Sequence, residues 1–139
     1  FIGSQKGIDP AYYEKIQKNC RKSWGNTGLT LNVAMNYGGR QEIIDMVKGI
    51  LQTNLEEQID LDRIDERMIS QHLYTQNIPD PDLLIRTSGE YRLSNFLIWQ
   101  AAYAELWFTE TLWPDFNKGE FIQAVLDYQK RSRRFGAEE

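Results

Sequence analysis

The sequence predicts an α/β fold with an open, mostly parallel sheet and helices on both faces. Three observations carry that expectation. Leu83, Leu84 and Ile85 form a short continuous apolar run, the pattern of a strand buried on both faces of a parallel sheet. Ile43, Ile44, Val47, Ile50 and Leu51 recur at helical spacing in GRQEIIDMVKGILQTN, the pattern of an amphipathic helix. Strand-like and helix-like stretches then alternate along the chain, with no repeat and no low-complexity linker.

The elements follow in order. Phe1-Ile2-Gly3 reads as a strand end. Asp9-Pro10 opens a helix, aspartate as cap and proline as first helical residue. That helix places Tyr12, Ile16 and Cys20 on one face and ends before Gly25 and Gly28. LTLNVAM, from Leu29 to Met35, alternates as a strand and stops at Gly38-Gly39. The amphipathic helix follows. Asp65 caps a further helix, ERMISQHLYT, before a turn bracketed by Pro79 and Pro81. After the Leu83–Ile85 strand, Ser94 or Asn95 caps a helix FLIWQAAYA, and ELWFT is another short strand. WPDFNKGE is a turn region in which Asn117 caps the last helix, FIQAVLDYQKRSRR, expected to bury Phe121, Val125 and Tyr128.

Composition narrows the function classes. With 139 residues, 41% hydrophobic and 26% charged, the chain suits one globular domain rather than a disordered segment. A net charge of -4 argues against general nucleic-acid binding, although KRSRR at Lys130–Arg134 is a local basic cluster. One cysteine, Cys20, cannot form an internal disulfide, so a reducing, cytoplasmic setting is expected. One histidine and one cysteine do not make a zinc site of the usual type.

The candidate chemistry centres on RTSGEYRLSN, Arg86 to Asn95. In open α/β sheets ligands sit beyond the carboxyl ends of strands, and this loop follows DLLI. Arg86 and Arg92 offer two planar forks of donors suited to phosphate oxygens. Ser94, at the expected start of a helix, would add backbone N–H groups and the positive dipole end. The same residues also fit a simpler account, in which the arginines pair with Glu90, Asp80 or Asp82 and Ser94 is only a cap. Glu105, among apolar neighbours in AYAELWF, needs a partner, either a magnesium ion or an arginine. Asn36-Tyr37-Gly38-Gly39-Arg40 lies between a strand and a helix, and serves either a ligand or a plain βα turn. Phe96, Trp99, Trp107, Phe108 and Trp113 suit a core or a dimer interface better than a ligand tunnel. His72 and Cys20 are expected to be structural.

Taken together, GNTGLTLNVAMNYGGR, DPDLLIRTSGEYRLSNFLIWQ, AYAELWFTETLWPDF and the terminal RRFG resemble the cis-prenyltransferase family, the bacterial undecaprenyl diphosphate synthases in particular. The resemblance runs nearly the whole chain. It implies condensation of isopentenyl diphosphate with an allylic prenyl diphosphate, giving a cis-polyprenyl diphosphate that serves as lipid carrier for cell-wall synthesis. By resemblance Arg86, Arg92 and Ser94 hold the isopentenyl diphosphate, and Glu105 is the acidic residue at a Mg2+ site. Arg134 and Gly136 match a motif that reaches the substrate site of the partner subunit in a homodimer. Asn36 to Arg40 match another motif near the site. The family's Asp-Gly-Asn motif, which carries the catalytic aspartate, and its Phe-Ser-x-Glu-Asn-Trp motif do not occur here. Residues 1–139 are therefore expected to be the incomplete C-terminal part of one domain, inactive alone, with the missing motifs before Phe1. A cytoplasmic enzyme at the membrane periphery, whose product associates with the membrane, is the implied setting. A non-catalytic subunit of a two-component prenyltransferase and a diphosphate-binding module are the competing readings.

Overall fold

The computed structural model describes residues 1–57 and 60–132. They group into two compact units, one within Phe1–Ile78 and one within Pro79–Glu139. Among the described residues no helix is long and apolar enough to cross a membrane.

In the first unit, helix α1 spans Pro10–Ser23 as its Asp9-Pro10 start predicts, with the Asp9 carboxylate accepting from the Tyr12 N–H at 3.0 Å. Its half-buried positions are Tyr13, Ile16 and Gln17, whereas Tyr12 and Cys20 are exposed. The cysteine is thus a solvent-facing thiol, not an apolar contact.

The expected strand Leu29–Met35 shrinks to a single parallel bridge between Ala34 and Ile2. The Ile2 N–H donates to Val33 O at 3.0 Å and the Met35 N–H to Ile2 O at 3.1 Å. Beyond this contact a ladder does not form, and Leu29, Leu31 and Val33 are exposed. Gly3 passes so close to Met35 that a Cβ there would lie far inside contact with the Met35 carbonyl oxygen. Its φ of +140° also disfavours any side chain.

Helix α2, Gly39–Glu57, forms where the apolar periodicity places it, but it buries a different face. Glu42, Met46 and Ile50 are buried, and Ile44, Val47 and Leu51 are exposed. The rotation follows from hydrogen bonding. Glu42, only 1% exposed, accepts from the Tyr37 hydroxyl at 2.5 Å and the Tyr74 N–H at 2.8 Å, so its charge is buried with donors in place. The Tyr74 hydroxyl donates to Asp45 Oδ2 at 2.6 Å, and the Tyr37 and Tyr74 rings meet edge to face, 6.3 Å apart. Helix α3, Glu66–His72, is capped by Asp65 accepting from the Met68 N–H at 2.8 Å, and packs on α2. It stops short of the expected Thr75 because Leu73 turns extended and buries its side chain.

The second unit is built on two parallel strands, β1 Leu83–Arg86 and β2 Glu105–Phe108, in the register Leu83 opposite Glu105 and Arg86 opposite Phe108. Both are half-buried rather than covered on both faces. Their connection corrects the expected helix FLIWQAAYA. Ser94, Asn95 and Leu97 take left-handed φ values of 45°, 66° and 45°, which a right-handed helix cannot contain. The segment is a chain of turns, such as Phe96 N–H to Leu93 O at 3.0 Å and Ala104 N–H to Ala101 O at 3.1 Å. Helix α4, Lys118–Gln129, starts at the predicted cap, where Asn117 Oδ1 accepts from Gly119 N–H at 2.8 Å. It packs on β2 through Ala124, which is fully buried, while Phe121 is half exposed. A small residue allows the helix close to the strand, and Trp107 Nε1 donates to Asp127 Oδ2 at 3.2 Å across that contact.

Candidate functional site

The loop from Arg86 to Arg92 leaves the carboxyl end of β1, where ligands of open α/β sheets gather. It is fixed by backbone bonds to the chain that leaves β2. The Thr109 N–H donates to Arg86 O at 3.0 Å, the Gly89 N–H to Thr109 O at 2.9 Å and the Ser88 N–H to Thr111 O at 2.8 Å. The tight reversal needs left-handed backbone at Ser88 and Gly89, with φ of 71° and 66°. Arg86 Nη1 donates to the Arg92 carbonyl, closing the loop on itself.

The result is an open cavity of about 350 Å³, lined by Arg86, Thr87, Ser88, Glu90 and Arg92 on its polar side and by Leu84, Ile85, Leu93 and Phe96 on its apolar side. Arg92 forms an ion pair with Glu90, with side chains 64% and 37% exposed. A pair this exposed is worth at most about 1 kcal/mol, so an arriving dianion can compete for the guanidinium. The pairing account is met in part, by Arg92 with Glu90, and both arginines line the cavity.

Ser94 is exposed on a turn and does not line this cavity. Since no helix starts there, the helix-terminus argument for Ser94 does not apply. Glu105 lies at the amino end of β2, three residues from the end level with Arg86, about 10 Å of strand. Its Oε2 accepts from Arg131 Nη1 at 2.7 Å, the arginine partner of the two weighed from sequence. Among the described residues no group of three or more His, Cys, Asp or Glu is placed to hold a metal. Magnesium takes one or two carboxylates with substrate phosphates, so Glu105 suits one ligand of a site that other groups would complete.

Asn36 and Arg40 belong to the first unit. Asn36, left-handed at φ 50°, spends both amide protons on the Ser4 and Lys6 carbonyls, at 2.8 and 3.0 Å, and so ties down the turn before α2. Arg40 is exposed in the first turn of α2. Arg134 and Gly136 lie outside the described residues.

The Tyr74 phenol is pushed up to about 12, by burial first and then by its bond to Asp45. Asp45 is held below the usual carboxylate range, chiefly by that same bond. Burial raises Asp80, just ahead of β1. Sequence reasoning missed the Glu42–Tyr74–Asp45 network. Its one visible signal is a glutamate in the first turn of a helix five residues after a tyrosine.

A family profile described as "Putative undecaprenyl diphosphate synthase" matches residues 1–136. The chain belongs to this prenyltransferase family. Within the family it is 53% identical over 135 residues to an isoprenyl transferase of Heliobacterium mobile, covering 97% of this chain and 52% of that protein. It is 49% identical over 140 residues to one of Streptococcus agalactiae serotype V, covering 98% and 56%. The crystal structure of lavandulyl diphosphate synthase from Lavandula x intermedia, in complex with dimethylallyl diphosphate, superposes with a TM-score of 0.92 at 36% identity. That match covers 98% of this chain and 58% of the plant enzyme. A probable undecaprenyl diphosphate synthase from Campylobacter jejuni gives 0.83 at 34% identity, covering 98% and 61%. The chain thus spans between half and two thirds of the length of these relatives.

Proposed function

We propose that the complete protein condenses isopentenyl diphosphate with an allylic prenyl diphosphate, and that Arg86 and Arg92 hold the isopentenyl diphosphate. The observation that supports this is the closed loop at the carboxyl end of β1, with its two arginines on a 350 Å³ cavity, in a chain of the prenyltransferase family. The allylic substrate has support from the dimethylallyl diphosphate bound by the lavender relative. In the reaction the double bond of isopentenyl diphosphate attacks the allylic carbon, the allylic diphosphate departs, and a proton is lost to leave a new cis double bond. This chain's part is to bind and orient the isopentenyl diphosphate whose double bond attacks, a contribution made by positioning and by fixed donors. Loop closure matters because it holds those donors in place before the substrate arrives.

Ser94 belongs to the same proposed substrate site, reached from its turn. Asn36 and Arg40 are proposed as further substrate-binding residues of the complete protein, Asn36 through the shape of its turn. The terminal Arg134 and Gly136 are proposed to reach the partner's site in a homodimer. Mg2+ is the proposed cofactor, with Glu105 as one ligand; it would neutralise diphosphate charge when bound. The family description supports an undecaprenyl product; a cell-wall role, with the product held at the membrane, is proposed with it.

The test is Arg86→Ala and Arg92→Ala in the complete protein. Each is expected to raise the KM for isopentenyl diphosphate about tenfold or more, on the order of 1–3 kcal/mol for a lost charged hydrogen bond. An unchanged constant in both variants refutes the assignment.

A further inference from the structure

Of the three backbone bonds that carry the Arg86–Arg92 loop, two end on the carbonyls of Thr109 and Thr111, which accept the Gly89 and Ser88 N–H groups. Something must hold these threonines. Thr111 Oγ1 donates to Glu120 Oε1 at 2.5 Å, and Thr109 Oγ1 lies 3.3 Å from the same oxygen. The Thr111 N–H in turn donates to Thr109 Oγ1 at 3.2 Å, so both residues form one small turn closed by one carboxylate oxygen. Glu120 stands in the first turn of α4, on a helix anchored to β2 through its buried Ala124.

The other carboxylate oxygen makes this arrangement unusual. Glu120 Oε2 is buried and has no hydrogen-bond partner among the described residues. Burying a carboxylate oxygen without a donor opposes folding. Glutamate is also not required as a cap, since Asn117 already serves the first helical N–H groups. What Glu120 accomplishes instead is a link from the helix to the two threonines.

We propose that Glu120 is a positioning residue for isopentenyl diphosphate. It acts through the Thr109 and Thr111 hydroxyls, and through their carbonyls on Ser88 and Gly89, to hold Arg86 and Arg92 at the cavity. Glu120 does not touch the substrate; it fixes the turn on which the clamp rests. The inference rests on the proposed role of the arginine loop.

Steady-state kinetics on the complete protein test it, with Glu120→Ala, Thr111→Val and Glu120→Gln compared beside Arg86→Ala and Arg92→Ala. Losing a group that orients a binding residue typically weakens binding tenfold or more. Glu120→Ala and Thr111→Val are therefore expected to raise the KM for isopentenyl diphosphate about tenfold, with kcat and the allylic KM near wild type. Glu120→Gln keeps an acceptor at Oε1 and is expected to restore most of that loss. If Glu120→Ala and Thr111→Val only lower Tm, while the arginine variants still raise KM, Glu120 is structural and the proposal falls alone. If the arginine variants leave KM unchanged, the clamp itself is refuted and this proposal falls with it. Should Glu120→Ala fail to fold, Thr111→Val decides, because it removes one hydroxyl and keeps the volume.

Discussion

Tyr74→Phe isolates one bond of the buried network in the first unit. The phenol donates to Asp45 Oδ2 at 2.6 Å, while the Tyr74 N–H bond to Glu42 and the ring contact with Tyr37 remain in the variant. A hydrogen bond to a charged acceptor contributes about 1.5–3 kcal/mol. Asp45 is 32% exposed and keeps Gln41 at 2.9 Å and Lys48 at 3.8 Å, so the low end applies, about 1.5 kcal/mol near pH 8. The pH dependence is the discriminating part. The Tyr74 phenol moves from 10.0 to about 12 on folding. Between those values the unfolded chain releases a proton that the folded protein keeps, so wild-type stability falls as pH rises through the window. A shift of that size removes roughly 1.4 kcal/mol by pH 11, and about 1 kcal/mol after allowing for partial exposure. Phenylalanine has no such term, so the gap between the two proteins should shrink below about 0.5 kcal/mol at pH 11. The opposite limb follows Asp45, whose carboxyl is lowered from 3.8 mainly by the Tyr74 bond. Its contribution is present above that value and disappears as pH falls through the lowered one. Urea unfolding of the complete protein at pH 8 and pH 11, with unchanged m-values, measures the gap. An equal gap at both pH values, or none at pH 8, refutes the account.

Two further outcomes follow from single contacts. Gly3→Ala forces a Cβ into the Met35 carbonyl at a positive φ, and should cost about 2 kcal/mol or more, read from urea midpoints; a cost under about 0.5 kcal/mol would mean the Ile2–Ala34 bridge does not hold. Glu105→Gln should raise the Mg2+ concentration for half-maximal activity, whereas an identical metal titration would leave Glu105 as the partner of Arg131 and nothing more.

The features legible in the sequence were those decided within a few residues. Asp9, Asp65 and Asn117 each cap the helix expected of them, because a cap is a contact between near neighbours. The strands Leu83–Arg86 and Glu105–Phe108 appear where short apolar runs place them. Periodicity found α2 but not its buried face, since Glu42 is drawn inward by a Tyr74 N–H that lies 32 residues away. The turns after Ser94 defeat a helical pattern through three left-handed residues, none of them glycine. At the site, the arginines and their place after a strand were readable. The support from Thr109, Thr111 and Glu120 was not, because it depends on how α4 docks beside β2.

The contact between Arg86 and the Arg92 carbonyl makes the two arginines unequal partners. Arg86 reaches the main chain of Arg92, not its side chain, so trimming Arg92 leaves the latch closed and removes one fork. Trimming Arg86 removes a fork and also opens the latch that keeps the second in place. The single losses should therefore be unequal, that of Arg86 the larger, and once Arg86 is gone the loss of Arg92 should add little. A double-mutant cycle would read that coupling as strong non-additivity between residues whose side chains need never meet.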